Sequence, residues 1–222
     1  MRLLVTGANG QVGWELRRSL MPVGEVIALD RHGCDLSRPR DLARIICELK
    51  PDIIVNAAAY MAVDKAEKEE QLATVVNGTA VGVMAEEARK HGALLVHYST
   101  DYVFDGTKDS PYTEDDPPSP INAYGRSKLA GERTIDESAG DYLILRTCWV
   151  YVARGHNFLR TVLRLARERD ELRIVADQVS APTWAREVAN ATALIVRRAC
   201  RERERGEFTS GVLHVTAAGA IS

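Results

Sequence analysis

Apolar positions along this chain follow two rhythms that alternate from end to end: short continuous runs, and longer stretches in which apolar side chains recur every three or four positions. The runs at residues 2–5, 26–29, 53–56, 93–96, 142–146, 172–175 and 212–216 predict strands. Between them, Trp14, Leu16, Arg17 and Leu20 keep helical spacing, as do Leu42, Ile45, Ile46 and Leu49 within 40–49. Helices are also predicted from residue 72 to 90, with Val76, Ala80, Val83 and Met84 as the apolar face, over 158–169 with a basic outer face, and over 184–198. The charged stretch 64–70 reads as a solvated helix face, and the alternating charges of 201–207 as the solvated end of the last helix. Residues 108–120, with four prolines among acids and serines, and residues 177–183 read as loops. Strand and helix alternate with no internal repeat and no linker before residue 150, which predicts an α/β protein with a doubly wound, mostly parallel sheet.

In such a sheet the chemistry sits where strands end, so the breaks after the apolar runs matter most. The first run breaks into TGANGQVG, residues 6–13, and a helix follows at once. Glycines at Gly7, Gly10 and Gly13 allow a tight turn, close approach of the backbone to a pyrophosphate, and close packing of helix on strand, while the helix N-terminus offers free N–H groups. This predicts a Rossmann-like dinucleotide site, a plain strand-to-helix turn being the alternative. Residues 1–150 then form an NAD(P)-binding domain, and 151–222 a partial substrate-binding region interleaved with the last strands.

The second run ends in Asp30-Arg31, where such a fold meets the adenosine ribose. Asp30 would bind a ribose diol and favour NADH, whereas Arg31 would welcome a 2′-phosphate and favour NADPH; a polar strand end is the plain alternative. Asp35 would approach the adenine or cap the helix that begins near Pro39. Ala57, Ala58, Ala59 and Tyr60 follow the third strand, and their small side chains leave room for a cofactor or serve tight helix packing. Asn77 interrupts an apolar helix face, either as a satisfied core amide or in a catalytic role. The fourth strand leads into HYSTDYVFDG, residues 97–106, where Thr100 would hydrogen-bond a substrate oxygen or cap a turn, and Trp149 after the fifth strand is either core or a platform for a flat ring.

The sharpest chemical unit is Tyr124-Gly125-Arg126-Ser127-Lys128. Four residues apart on a helix, Tyr124 and Lys128 share a face about 6 Å apart along the axis. A phenol becomes an acid or base near neutrality only if its pKa moves by roughly three units, about 4 kcal/mol, and a nearby ammonium supplies much of that. An ordinary solvated helix turn is the alternative.

Composition narrows the partners. The 222 residues are 45% hydrophobic and 27% charged, with 29 basic and 31 acidic side chains and a formal charge of -2. That balance gives no electrostatic case for nucleic acid or an anionic membrane surface and favours a small-molecule partner. Cys34, Cys47, Cys148 and Cys200 show no metal-ligand spacing, and each lies in or beside an apolar run as buried free thiols do, which points to a reducing cytoplasm. No apolar stretch has the length of a signal-peptide core or a bilayer span, so neither export nor membrane insertion is expected.

TGANGQVG, NAAAY, STDYVFDG, YGRSK and DQVSAPT, in this order and across essentially the whole chain, resemble the extended short-chain dehydrogenase/reductases. The resemblance implies cofactor contacts at Gly10, Gln11, Val12, Asp35, Leu36, Ala58, Ala59, Tyr60 and Tyr98, substrate contacts at Thr100, Asp101 and Trp149, and a catalytic group of Thr100, Tyr124 and Lys128, the last two also touching cofactor. It implies hydride transfer from NADPH or NADH to C4 of a 4-keto-6-deoxyhexose carried on dTDP, with Tyr124 as proton donor, Lys128 on the nicotinamide ribose and Thr100 at the carbonyl oxygen. Two further readings within reach of the same motifs are a nucleotide-sugar epimerase that retains NAD, and a non-catalytic regulatory subunit like that of methionine adenosyltransferase. Family members continue beyond the point matching Ser222 into a lobe that closes over the nucleotide-sugar, so an incomplete C-terminal substrate-binding lobe is expected. Some members form a homodimer bridged by carboxylates and Mg2+. Glu15 is present here, but Arg186 stands where those members carry an acid, which argues against the metal bridge.

Overall fold

The computed structural model describes residues 1–155 and 157–222. A six-stranded parallel sheet runs in the order β2 (Glu25–Leu29), β1 (Arg2–Thr6), β3 (Ile53–Asn56), β4 (Leu94–Thr100), β5 (Tyr142–Thr147) and β8 (Gly211–His214). All five strand pairings are parallel, in register from Arg2 opposite Glu25 to Arg146 opposite His214.

Side chains alternate across a strand, and each face of this sheet carries its own core. Leu3, Val5, Val55 and Val96 point to one face, where α1 (Gln11–Ser19) and α8 (Ala185–Arg205) cover them with Leu16, Leu20, Val188 and Val196. Leu4, Ile54, Leu95 and Ile144 point to the other, against Leu42 and Ile46 of α2 (Pro39–Leu49), Met84 of α5 (Ala80–His91) and Ile135 of α6 (Ala123–Glu137). Burial on both faces explains why the strands read as unbroken apolar runs instead of alternating ones. Because α8 packs on α1 and β8 pairs with β5, residues after 150 complete the sheet while also supplying the loop at 177–183.

Several boundaries differ from the sequence reading. Residues 172–175 form no strand: Ile174 and Val175 are exposed, and a short apolar run without a neighbour to pair with does not stay extended in a ladder. Strand β4 runs on through His97 to Thr100, so the first part of HYSTDYVFDG is sheet, followed by a 3₁₀ turn at Asp101–Val103. The helix expected over 72–90 is α4 (Glu70–Thr74), a π-helical turn at Val75–Thr79, and α5. Helix α8 continues to Arg205, taking in most of the charged run, and α3 (Val63–Ala66) occupies part of the charged stretch before it. A second, small parallel sheet pairs β6 (Val150–Tyr151) with β7 (Thr183–Trp184), on either side of α7 (Phe158–Glu168). Cys47 is exposed and Cys200 half-buried, so only Cys34 and Cys148 are buried thiols; Cys47 follows Ile46 on α2 and turns away from the core.

Candidate active site

The chain leaves β1, crosses to β2 at the edge and returns to β3 on the other side of β1, so the sheet order reverses between β1 and β3. The carboxyl ends of those two strands form the crevice in which open α/β sheets bind ligands. Gly7 lies there against the backbone of Ala57 and Ala58. Gly10 caps α1 with no side-chain hydrogen bond, which leaves the first N–H groups of the helix, at Gln11, Val12 and Gly13, without a side-chain partner. A methyl at Gly13 would run into the Gly7 carbonyl, whereas one at Gly10 would meet only the Gly7 oxygen, at 3.1 Å, and otherwise point into open space. Gln11 Oε1 is buried without a partner. An uncapped helix N-terminus with an open side fits a cofactor pyrophosphate, whereas the Gln11 amide oxygen, an acceptor, suits a donor and not the phosphates.

The ribose end is anchored to the same turn. Asp30 Oδ2 accepts from Asn9 Nδ2 (2.8 Å), and Oδ1 accepts from the N–H groups of His32 (3.0 Å) and Gly33 (3.2 Å). The Gly33 bond is the main influence holding this half-buried carboxyl below its usual range. Arg31 projects into solvent, 3.8 Å from Asp35. Asp35 spends one oxygen on the N–H and hydroxyl of Ser37, in the turn that leads into α2, and Leu36 packs into the core, so its side chain serves the fold. Ala58, Ala59 and Tyr60 are half-buried. Asn77 clamps this segment: its Oδ1 accepts from Tyr60 N–H (2.8 Å), and its Nδ2 donates to Tyr60 O (3.1 Å) and Ser127 Oγ (2.9 Å). The amide is therefore a satisfied strut, carried on the π-helical turn, a distortion frequent at functional sites.

Helix α6 faces this segment from the neighbouring strands. Asn122 Oδ1 accepts from Gly125 N–H (2.7 Å) and starts the helix. Gly125 lies against the Tyr102 carbonyl, where any side chain would collide, so the glycine inside YGRSK sets how closely Tyr124 approaches the end of β4. Tyr124 is buried edge-on to Tyr102, ring centroids 5.6 Å apart at 83°, with its hydroxyl 3.9 Å from Met61 Sδ. Burial pushes its pKa up, and the Thr100 hydroxyl only partly offsets this. The phenol is therefore neutral, and burial governs it rather than the lowering by Lys128 expected from the helical spacing.

Lys128 is only 2% exposed. Its Nζ donates to Tyr98 O (2.6 Å) and lies 3.1 Å from His97 Nε2. Burial pushes its pKa down to about 8, against a smaller upward pull from Glu132. The Tyr98 side chain points to the opposite face of the sheet, its hydroxyl 2.6 Å from Thr192 Oγ1 on α8, so Tyr98 offers this site its carbonyl and not its phenol. Thr100 Oγ1 donates to Asp101 Oδ1 (3.1 Å), while Asp101 Oδ2 accepts from Ser180 Oγ (3.0 Å) in the 177–183 loop, and burial raises the Asp101 pKa. Trp149 is half-buried, adopts the left-handed φ of 39°, and accepts from Thr183 N–H (3.2 Å). Such backbone strain in a non-glycine residue persists only where surrounding contacts impose it.

Glu15 does not suit a bridging magnesium: its Oε2 accepts from Arg186 Nε (3.2 Å), and Arg18 lies 4.0 Å away. Among the described residues no three His, Cys, Asp or Glu side chains cluster as metal ligands, and no helix is long and apolar enough to cross a membrane. Sequence reasoning missed Asn56, Met61, His97 and Ser180. The signal for His97 was a polar side chain inside an apolar run.

A parallel sheet with this turn at its switch point and a Tyr-x-x-x-Lys helix at its strand ends defines a dinucleotide-dependent oxidoreductase scaffold, and the chain belongs to the family described as RmlD substrate binding domain, matched over residues 1–222. It is 61% identical to dTDP-4-dehydrorhamnose reductase of Burkholderia thailandensis and 49% identical to the enzyme of that name from Salmonella typhimurium, in each case over 100% of this chain and 74% of the relative. The crystal structure of dTDP-4-dehydrorhamnose reductase from Bacillus anthracis in complex with NADP superposes with a TM-score of 0.88 at 37% identity, over 100% of this chain and 76% of that one.

Proposed function

We propose that this protein reduces dTDP-4-dehydro-β-L-rhamnose to dTDP-β-L-rhamnose with NAD(P)H, the last step of dTDP-L-rhamnose biosynthesis. The relatives at 61% and 49% identity carry that activity in their names, and a solved neighbour holds NADP. The reduced nicotinamide supplies a hydride to C4 of the sugar, and the remaining work falls to side chains of this chain. The N–H groups of Gln11, Val12 and Gly13 hold the pyrophosphate, Asp30 and Arg31 hold the adenosine ribose, and the 58–60 segment lies along the cofactor. Tyr124 gives its phenolic proton to the oxygen that gains charge at C4, and Thr100 steadies that oxygen; positioned proton transfer of this kind contributes about 10²–10⁴ in rate. Asp101 and Trp149 hold the sugar, and Lys128 acts on the nicotinamide ribose.

The observation that carries the roles is the neutral, buried phenol of Tyr124 beside Thr100 at the carboxyl end of β4. A reductase needs its acid protonated at rest, and burial ensures that. A cytoplasmic location accords with four unpaired cysteines. In the test, NAD(P)H oxidation is followed with and without the dTDP-4-keto-6-deoxy sugar. Oxidation is expected only with the sugar, and Tyr124→Phe should lose at least 10²-fold in turnover while binding NADPH normally. A Tyr124→Phe enzyme with undiminished turnover removes the proposed acid.

A further inference from the structure

A buried polar chain crosses the sheet beneath the active site. Asn56 Oδ1 accepts from Ala58 N–H (3.2 Å) and from Thr6 Oγ1 (2.6 Å), and Asn56 Nδ2 lies 2.9 Å from His97 Nδ1. A backbone N–H can only donate, so the Ala58 contact fixes which end of the Asn56 amide is oxygen, and the NH2 group must face His97. His97 Nδ1 therefore accepts. A neutral imidazole that accepts at Nδ1 carries its hydrogen on Nε2, and a protonated ring would turn an N–H against the amide NH2. His97 is fully buried, and burial first, then Lys128, holds its pKa well below the usual value, which keeps the ring neutral.

His97 Nε2–H then faces Lys128 Nζ at 3.1 Å. An ammonium has no lone pair to receive it; an amine has one, with an N–H left for the Tyr98 carbonyl at 2.6 Å. We infer that His97 is a positioning residue whose tautomer, set by Asn56, donates to Lys128 and favours the amine form of that lysine over its ammonium. Of the charged and titratable groups around Nζ, Glu132 pulls towards the ammonium, and burial outweighs that pull. Tyr124 and Glu132 come from its own helix and His97 from β4, and the Glu132 carboxylate is already engaged by Arg146 of β5 through two hydrogen bonds. The inference rests on the proposed catalytic reading only for its consequence: a phenolate left on Tyr124 one turn away would favour charge at Nζ, so the lysine holds its proton more tightly in that state than at rest.

The test is NMR on cofactor-free protein, independent of turnover. With 13C-labelled lysine, and Lys128→Met to assign the signal, the Lys128 Cε resonance should titrate at or below pH 8. The 15N spectrum of His97 should show the Nε2–H tautomer from pH 6 to 9. Asn56→Asp keeps the acceptor for Ala58 but forces His97 to donate from Nδ1, turning Nε2 into an acceptor, so the Lys128 midpoint should rise by at least one pH unit, tenfold in proton affinity. His97→Gln, whose carbonyl can accept from an ammonium, should raise it as well. A lysine that titrates near 10, a His97 hydrogen on Nδ1, or a midpoint that neither variant moves overturns the inference. The two wild-type measurements decide it alone if the variants do not fold. Loss of the Tyr124→Phe effect would remove the proposed acid without touching any of these signals.

Discussion

Arg146 and Glu132 form a bidentate pair inside the protein, Nε to Oε1 at 3.0 Å and Nη2 to Oε2 at 2.6 Å, with the side chains 5% and 6% exposed. Arg146 Nη1 is buried without a partner, so the guanidinium already lacks one acceptor, and its face rests on the Phe104 ring with 5.1 Å to the centroid. Glu132→Gln keeps the shape and one acceptor but removes the charge, leaving a buried guanidinium uncompensated. Breaking a buried pair costs about 3–5 kcal/mol, and the retained amide oxygen places this variant near the lower end, at about 3 kcal/mol. For a domain with a total stability of about 5–15 kcal/mol that is a large fraction. The control is the double variant Glu132→Leu/Arg146→Met, which removes both charges together. It should lie within about 2 kcal/mol of wild type, because the Coulomb gain and the desolvation penalty disappear together and only the stacking on Phe104 is lost. Urea unfolding of the three proteins measures this. A single variant within 1 kcal/mol of wild type, or a double variant as unstable as the single, would mean that the pair is solvated in solution and the reasoning fails.

Two further predictions concern the cofactor. Gly13→Ala drives a methyl into the Gly7 carbonyl and should lose about 1–3 kcal/mol of stability together with NADPH binding, whereas Gly10→Ala should fold almost normally and lose binding alone; thermal melts read beside NADPH fluorescence titrations separate the two, and equal effects would refute the distinction. Arg31→Ala should raise KM for NADPH about tenfold and leave NADH nearly unchanged, since Arg31 is exposed and tied only loosely to Asp35; an equal rise for both cofactors would show that Arg31 does not read the 2′-phosphate.

Much of this architecture was legible because its strands are covered on both faces and so appear as runs, and because the glycines at 7, 10 and 13 mark the switch point directly. The failures have physical causes. Residues 172–175 carry a strand's composition, but composition does not state whether a partner strand lies alongside, and among the described residues none does. The two-residue strands β6 and β7 are too short to show any period. The Asn56–His97–Lys128 chain links residues from two strands and a helix, and Arg146 pairs with Glu132 across a strand and a helix; such relations exist only in space. The helical spacing of Tyr124 and Lys128 was readable, but not that Nζ would turn to the Tyr98 carbonyl and His97.

The inner face of α6 carries more buried polarity than a helix needs merely to pack: Ser127, Lys128 and Glu132 are all buried, beside Ile135 of the apolar core. Apolar side chains of similar volume would give a helix of comparable stability there, since buried charges return little net energy. What the polar groups add is register. Ser127 is tied to Asn77 on the π-helical turn, Lys128 to Tyr98 on β4 and Glu132 to Arg146 on β5, while Gly125 and Gly131 set the distance to the Tyr102 and Asn77 backbones. A one-residue slip of α6 would break all three ties and bring a Cβ into each close approach. Tyr124, one turn from Lys128, is thereby fixed relative to Thr100, and a proton donor is useful only at a fixed distance from the oxygen it serves. Stability lost to buried charge on this helix is thus the physical condition for a defined position of the phenol.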